Sequence, residues 1–281
     1  MYDAASPFDF LPLQRARGEL RVGLRVRDGK TALSDFRQVG CLKARFPRPE
    51  EAGWMSVATM NISGGVAAGD QLDLDFHFSS GARASISAQA AERFYRALPD
   101  SEPARVRTTI TVEESAAAEW LPQETILFDR CALDRVLTVN LAEDAWFLGV
   151  ESLVFGRAAM GERVQRGEIS DTIRVRRGGR LVLHDAIRLS GAVEGTLARP
   201  AVARGANAVA TIFYVAPNAP ARLEELRHAL ANAPAECGAS AWDGMLVARI
   251  LAESSAALRT AVIAGLEILR DGRPLPRMWC C

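Results

Sequence analysis

The chain has 281 residues, of which 49% are apolar, so it can bury a sizeable core in one large domain or two small ones. Lys+Arg and Asp+Glu are equal at 34 each, which leaves no basic excess for a phosphate backbone and argues against nucleic acid as a partner. The sequence has no long apolar run, which argues against a membrane span. Its amino terminus lacks a basic segment followed by an apolar one, which argues against a secretory signal. The 5 cysteines show no CxxC spacing, which favours reduced thiols and a cytoplasmic location.

Alternating apolar and polar residues predict short β-strands through the first two-thirds of the chain. Residues 20–27 alternate before the Asp28-Gly29 turn, and residues 72–78 alternate in the same way. Further short strands are predicted at Val106–Val112, Val136–Leu141 and Ile169–Val175. Turn signals recur, and no helical pattern separates these strands. The residues therefore indicate an antiparallel, multi-stranded body rather than a doubly wound parallel sheet.

The pattern changes character near Pro217. Leucines at helical spacing from Leu223 predict a short helix, and residues 245–251 predict another strand. A longer helix is predicted over Ser254–Arg270, with a serine as N-cap. We expect a single domain over residues 1–281, with a β-rich body at about 15–215 and an α+β part at about 216–281.

Residue chemistry alone identifies no reaction. The glycine-rich stretch 64–70 lacks the order of a nucleotide-binding loop and leads into a strand, so a turn is the simpler interpretation. Asp73, Asp75 and His77 share one strand face at spacings of about 6.5 to 7 Å, which is long for ligands of one ion and typical of a solvated face. The sequence contains neither HExxH nor GxSxG. An enzyme and a binding protein are both open on this evidence.

Several segments, taken in order, resemble a known family. They are Asn61–Asp70, Gln89–Arg96, Glu119–Glu124, Phe155–Arg157, Gly161–Glu162 and Leu275–Trp279. From about Gly18 to Trp279 the chain resembles the UreD family of urease accessory proteins, called UreH in some systems. The resemblance implies a mainly β fold, a β-helix-like stack of antiparallel and mixed strands with two C-terminal helices.

The resemblance also implies a function. A UreD-like protein is a non-enzymatic scaffold for urease maturation that binds apo-urease, a UreF-type accessory protein and, through the complex, a UreG-type GTPase. It assists nickel delivery to the urease active site and holds no cofactor or metal tightly, although Ni²⁺ passes transiently. Two alternatives stay open. The chain is a passive protein–protein adaptor without a metal-conducting role, or a hydrolase or lyase that uses its scattered carboxylates.

The resemblance further suggests which residues act. The residues assigned to nickel transit are Asp70, Glu92, Glu151 and Asp185, and the Asp185 match rests on the strand pattern of residues 183–189. A transit route needs exchangeable oxygen ligands, because a closed soft site would retain the ion. The competing interpretation is that these are ordinary buried carboxylates held by arginines or backbone N–H groups. The residues assigned to an apolar partner interface are Leu258, Val262, Leu266, Arg277 and Trp279.

Overall fold

The structure, a computed structural model, describes residues 14–49 and 51–280. The strands are β1 (Arg17–Arg27), β2 (Lys30–Gly40), β3 (Leu42–Arg45), β4 (Met55–Asn61), β5 (Gln71–Phe78), β6 (Arg83–Ala88), β7 (Glu92–Phe94), β8 (Ala104–Val112), β9 (Ala117–Leu121), β10 (Thr125–Leu127), β11 (Ala132–Leu141), β12 (Trp146–Phe155), β13 (Arg166–Arg177), β14 (Arg180–Ala192), β15 (Ala208–Val215), β16 (Glu236–Trp242) and β17 (Met245–Ala252). The α-helices are α1 (Val193–Leu197), α2 (Leu223–Leu230) and α3 (Ser255–Leu269).

The strands form two sheets. Sheet I is 7-stranded, in the order β14-β13-β11-β8-β5-β1-β2. Sheet II is 10-stranded and follows the path β16-β17-β15-β12-β9-β6-β4-β3, with β10 attached to β12 and β7 attached to β10. The Asp28-Gly29 turn expected from the sequence is present and joins β1 to β2, and a second hairpin joins β13 to β14. Asp28 and Gly29 both have positive φ, 50° and 71°, which is the backbone of a type I′ turn.

The central strands of both sheets are parallel, which corrects the antiparallel body expected from the turn signals. In sheet I, β5, β8, β11 and β13 run parallel, and in sheet II β4, β6, β9 and β12 do the same. The chain alternates between the sheets, so a strand of the opposite sheet makes each crossover that a helix makes in βαβ units. The mainly β class with mixed strand directions is confirmed. The β-helix-like description of the stack stays a prediction.

Apolar side chains form two buried clusters. The first fills the space between the sheets and includes Phe76, Phe147 and Phe213. The second lies between sheet II and the helices. Both predicted C-terminal helices are confirmed as α2 and α3, and the Ser254 hydroxyl caps α3 by accepting a hydrogen bond from the Ala257 N–H at 3.2 Å. The predicted strand at 245–251 is β17. It extends sheet II beside β15, while the single-domain assignment stays a prediction.

None of the helices within residues 14–49 and 51–280 combines the length and the apolar character needed to cross a bilayer.

Candidate functional site: cavities between the sheets

A cavity of about 160 Å³ lies between the two sheets. Its walls are mostly apolar, with Leu72, Phe94 and Trp120 among them, but the carboxylates of Glu92 and Glu151 also face it. Glu92 is on β7 and Glu151 is on β12, and β10 pairs with both strands. Two ladder steps therefore separate the backbones of these two strands by about 10 Å. The cavity thus has an acidic residue on each of two different strands.

Glu92 is held by a small polar network beside the glycine-rich loop. The Asn61 side-chain amide donates to Glu92 Oε2 at 3.1 Å and to the Gly65 carbonyl at 3.2 Å. The Arg93 N–H donates to Glu92 Oε1 at 3.1 Å. Burial raises the pKa of Glu92 above the usual glutamate range, even though these hydrogen bonds act in the opposite direction. Glu92 is therefore an oriented carboxyl group that binds a proton more readily than an exposed glutamate does.

Glu151 belongs to a buried ion cluster that joins the sheets. Arg135 on β11 approaches Glu151 Oε2 at 2.8 Å, and it binds Asp171 through two parallel hydrogen bonds of 2.8 Å each. Arg135 also donates to the Thr125 hydroxyl at 2.9 Å, and the Trp120 indole donates to Glu151 Oε1 at 2.7 Å. Arg135, Glu151 and Asp171 are only 9%, 6% and 5% exposed. The cluster is desolvated, and its polar atoms have closely placed partners.

The environment of the cluster shifts its pKa values. Burial, opposed by Arg135, raises the pKa of Glu151. Burial lowers the pKa of Arg135, but the neighbouring carboxylates of Asp171 and Glu151 more than offset that effect and hold it above the ordinary arginine value. Arg135 is thus a permanent cation, and it supplies the positive charge that these two carboxyl groups share.

A second cavity lies on the other side of this cluster. Its volume is about 10 Å³, the size of about one water molecule, and Glu151, Asp171 and Asp185 all line it. Asp185 Oδ1 pairs with Arg249 at 2.6 Å, and the Thr211 hydroxyl donates to Asp185 Oδ2 at 3.3 Å. Glu151 lines both this cavity and the larger one, so the ion cluster stands at their boundary.

The larger cavity also adjoins an open vestibule of about 730 Å³ near the start of α3. Gln89, Ala90 and Gln123 line both spaces. The charged residues around the vestibule are Glu124, Arg157, Glu162, Arg163, Glu253 and Arg259. A vestibule, an inter-sheet cavity and a water-sized cavity therefore follow one another with shared walls.

Three of the four residues assigned to nickel transit line these cavities, and Asp70 does not. The structure brings Glu92 and Glu151 to the inter-sheet cavity and Asp185 to the water-sized cavity. The Asp70 carboxylate accepts hydrogen bonds from the N–H groups of Ala16 and Ala67, both at 2.8 Å. These bonds fix the end of the glycine-rich loop, which is the backbone-held role that the competing interpretation gives to a buried aspartate.

The residues assigned to a partner interface are mostly inside the protein. Leu258, Val262, Leu266 and Trp279 are 0%, 1%, 0% and 4% exposed, whereas Arg277 lies at the surface. The three α3 residues belong to the cluster between the helix and sheet II, because an apolar stripe at helical spacing packs on the nearest apolar sheet face. In this conformation they are not available to a partner, and the interface assignment stays a prediction.

The C-terminal tail beyond α3 is bound to the end of β9 and to the segment that follows it. The Trp279 indole donates to the Leu121 carbonyl at 3.0 Å, and the Gln123 side chain donates to the Met278 carbonyl at 2.7 Å. Arg259 on α3 donates to the Trp279 carbonyl at 2.7 Å and to Gln123 Oε1 at 2.8 Å. Two of the segments that carry the family resemblance are therefore in direct contact.

Sequence reasoning missed Arg135 and Asp171, although a signal for both was present. Arg135 lies on the same face of its strand as Leu133 and Leu137. Asp171 on β13 likewise lies on the inward face, in phase with the buried residues Ile169 and Ile173. A charge at an inward position of an alternating strand indicates a buried ion pair. The two residues are also direct partners in the β11–β13 register, which the sequence pattern does not show.

The polar strand face with Asp73 and Asp75 shows no sign of a metal site. On the same face, His77 Nε2 contacts Glu113 Oε1 at 2.7 Å. Within residues 14–49 and 51–280, no group of three or more His, Cys, Asp or Glu side chains is arranged to hold a metal ion. The interpretation of this face as a solvated surface is therefore the better supported one.

Comparison with known proteins identifies the family. The sequence model described as UreD urease accessory protein matches residues 16–280. A urease accessory protein UreD of Azorhizobium caulinodans is 46% identical over 266 residues, which cover 95% of this chain and 97% of that relative. A Bradyrhizobium protein named urease accessory protein UreD 1 is 41% identical, with 98% of each chain covered. A Methylobacterium UreD is 45% identical, with 95% of each covered. These relatives are named as accessory proteins and not as enzymes, and the chain belongs to the UreD family of urease accessory proteins.

Proposed function

We propose that this protein is a cytoplasmic, non-catalytic accessory factor in urease maturation, and that nickel ions on their way to apo-urease pass through the cavities between its sheets. Family membership supports the role in maturation. The observation that supports the nickel route is the run of three adjoining spaces, in which Glu92 and Glu151 line the inter-sheet cavity and Glu151 and Asp185 line the water-sized one. The first space is open, and the last has room for about one water molecule.

The chemistry of the lining suits transport better than storage. Carboxylate oxygens bind divalent nickel exchangeably, whereas soft thiolate ligands would hold the ion tightly. The thiol of Cys131 is buried, and burial raises its pKa to about 12, so it stays protonated and does not compete as a ligand. With its carboxyl groups ionised, the ion cluster has one excess negative charge inside an otherwise apolar wall, and Asp185, although paired with Arg249, adds a further carboxylate. An ion is drawn in, but no preformed closed ligand set among the described residues retains it.

The surface proposed for the UreF-type partner is the outer face of α3. This helix contains Arg259 and Glu267 as its charged residues, and the rest of its outer side is small or apolar. A helix that is apolar on most sides fits a second apolar surface better than water. The buried residues Leu258, Val262 and Leu266 support the helix from beneath. A partner on this face would lie beside the vestibule, to which Arg259 contributes.

The same complex is proposed to bring in the UreG-type GTPase and apo-urease. A protein that conducts an ion has to contact the source of the ion and its acceptor at different ends of the route. The vestibule beside α3 and the Asp185–Arg249 pair are carried by different parts of the fold, since Asp185 lies on β14 of sheet I. The vestibule suits contact with the UreF-type and UreG-type partners, and the end of the route at the Asp185–Arg249 pair suits contact with apo-urease.

The alternative is a passive adaptor that holds the partners together without guiding metal. The observation that favours it is the arginine pairing of the cavity carboxylates, because an ion-paired carboxylate has a simple structural role. The hydrolase or lyase alternative has no such support, since the named relatives are accessory proteins.

The experiment measures the nickel content and activity of urease produced with its full accessory set. The set contains this chain, lacks it, or carries Glu151→Gln or Asp185→Asn. We expect nickel-poor urease when the chain is missing. We also expect low nickel with either variant, although the accessory complex still assembles. The matched control is Asp75→Asn, a half-exposed carboxylate outside the cavities, and it should behave as wild type. Normal nickel without the chain refutes the maturation role, and normal nickel with both cavity variants leaves only the adaptor.

A further inference from the structure

We propose that Arg135 is a displaceable counter-ion that closes the passage, and that a divalent cation moves through by replacing its guanidinium group between Glu151 and Asp171. The inference rests on the proposed nickel route and names the residue that controls it. Arg135 becomes the residue that decides which ions pass.

The position of Arg135 is the first support. Its side chain lines the inter-sheet cavity, Glu151 lines both cavities, and Asp171 lines only the water-sized one. The guanidinium group spans from Glu151 on sheet II to Asp171 on sheet I, so it lies across the boundary between the two spaces. An ion that moves from one cavity to the other has to pass between these same carboxylates.

Charge is the second support. With both carboxyl groups ionised, Glu151 and Asp171 supply two negative charges and Arg135 supplies one positive charge. Exchange of the guanidinium group for a divalent cation turns a site with one excess negative charge into a neutral one. A monovalent cation brings no such gain, and it forfeits the paired hydrogen bonds that Arg135 makes to Asp171. The cluster therefore selects divalent over monovalent ions.

The space around Arg135 is the third support. The adjoining cavity of about 160 Å³ can receive a displaced guanidinium group together with water. The Thr125 hydroxyl, which already accepts a hydrogen bond from Arg135, faces the same cavity and offers a polar partner there. The arrangement recurs at the far side of the small cavity, where Asp185 pairs with Arg249. That arginine is 40% exposed in its side chain and can turn outward into solvent.

The test compares nickel binding by the purified full-length chain carrying Arg135→Met, Arg135→Lys or no change. Nickel retained after equilibrium dialysis against NiCl₂ is measured by atomic absorption. Without its resident cation the carboxylate pair should bind nickel at least about tenfold more tightly, which corresponds to about 1.4 kcal/mol. Arg135→Lys keeps the charge but loses the planar fork, so its retention should fall between those of wild type and Arg135→Met. Arg21→Met, which removes an exposed arginine on β1, is the control and should leave retention unchanged.

Loss of Arg135 leaves two buried carboxylates without a partner, and Arg135→Met can lower the yield of folded protein. The lysine variant keeps the test decisive, because it retains a cation at the site. Wild-type nickel retention in folded Arg135→Lys overturns the counter-ion role. If Glu151→Gln still starves urease of nickel in that case, the passage stands and only the role of Arg135 is wrong. If Glu151→Gln and Asp185→Asn both leave urease fully loaded, the nickel route itself fails.

Discussion

The carboxylate of Glu119 anchors the C-terminal tail to sheet II, and its removal should destabilise the protein strongly. Glu119 on β9 is 0% exposed. It accepts hydrogen bonds from Arg270 at 3.0 and 3.1 Å, from Arg273 at 2.7 Å and from the Ser85 hydroxyl. Arg270 lies at the end of α3 and is itself 4% exposed. The perturbation is Glu119→Gln, which keeps the side-chain volume and removes the charge.

The magnitude follows from the burial of both partners. When one member of a buried ion pair is removed, the other stays desolvated without compensation, at a cost of about 3–5 kcal/mol. A typical domain has a free energy of unfolding of about 5–15 kcal/mol, so this one substitution would consume a large share of it. Arg270 keeps its hydrogen bonds to the carbonyls of Arg273 and Pro274, which places the expected value nearer the lower end.

The assay is urea unfolding followed by tryptophan fluorescence, with the free energy of unfolding extrapolated to water. Removal of both charges in Glu119→Gln with Arg270→Met should recover part of the loss, because the buried Arg270 cation is then gone and Arg273 keeps its ion pair with Glu51 at 3.5 Å. The control is Asp75→Asn, whose ion pair with Arg21 is about half exposed and should contribute less than about 1 kcal/mol. A Glu119→Gln protein within about 1 kcal/mol of wild type would show that the cluster is not desolvated in solution, and would refute the reasoning.

Three further outcomes are expected. Because burial raises the pKa of Glu92, its ionisation costs stability as the pH rises from the usual glutamate value of about 4.3 through the raised one. Glu92→Gln, which can still accept from Asn61, should therefore melt higher than wild type at pH 8, with a difference that shrinks toward acid pH. The pKa of Cys131, raised to about 12 by burial, should keep this thiol unmodified by iodoacetamide at pH 8 until the protein unfolds, whereas the exposed Cys280 should react in the native state; mass spectrometry distinguishes them. Leu258→Ala should lower the free energy of unfolding by about 2–5 kcal/mol in urea titrations, because this fully buried leucine packs between α3 and sheet II; a loss below about 1 kcal/mol would contradict that packing.

Local structure could be predicted from the sequence because it depends on neighbouring residues. Period-two alternation places the strands, Asp28-Gly29 supplies the positive φ angles of a tight hairpin, and Ser254 provides the first hydrogen-bond acceptor of α3. Strand direction could not be predicted in this way. Parallel and antiparallel strands show the same alternation of apolar and polar residues. The crossovers between parallel strands run through the opposite sheet, so the sequence contains no helical pattern that would indicate a parallel connection.

The candidate site shows the same division. The inward positions of Arg135 and Asp171 can be read from the alternation of their strands, but their pairing depends on the register between β11 and β13. Glu151 joins them from the other sheet, and cavities between sheets exist only once the sheets are packed. For α3, the spacing of Leu258 and its neighbours established that one face is apolar. Only the tertiary structure decided that this face covers the protein's own sheet, because an apolar stripe specifies burial and not the surface that buries it.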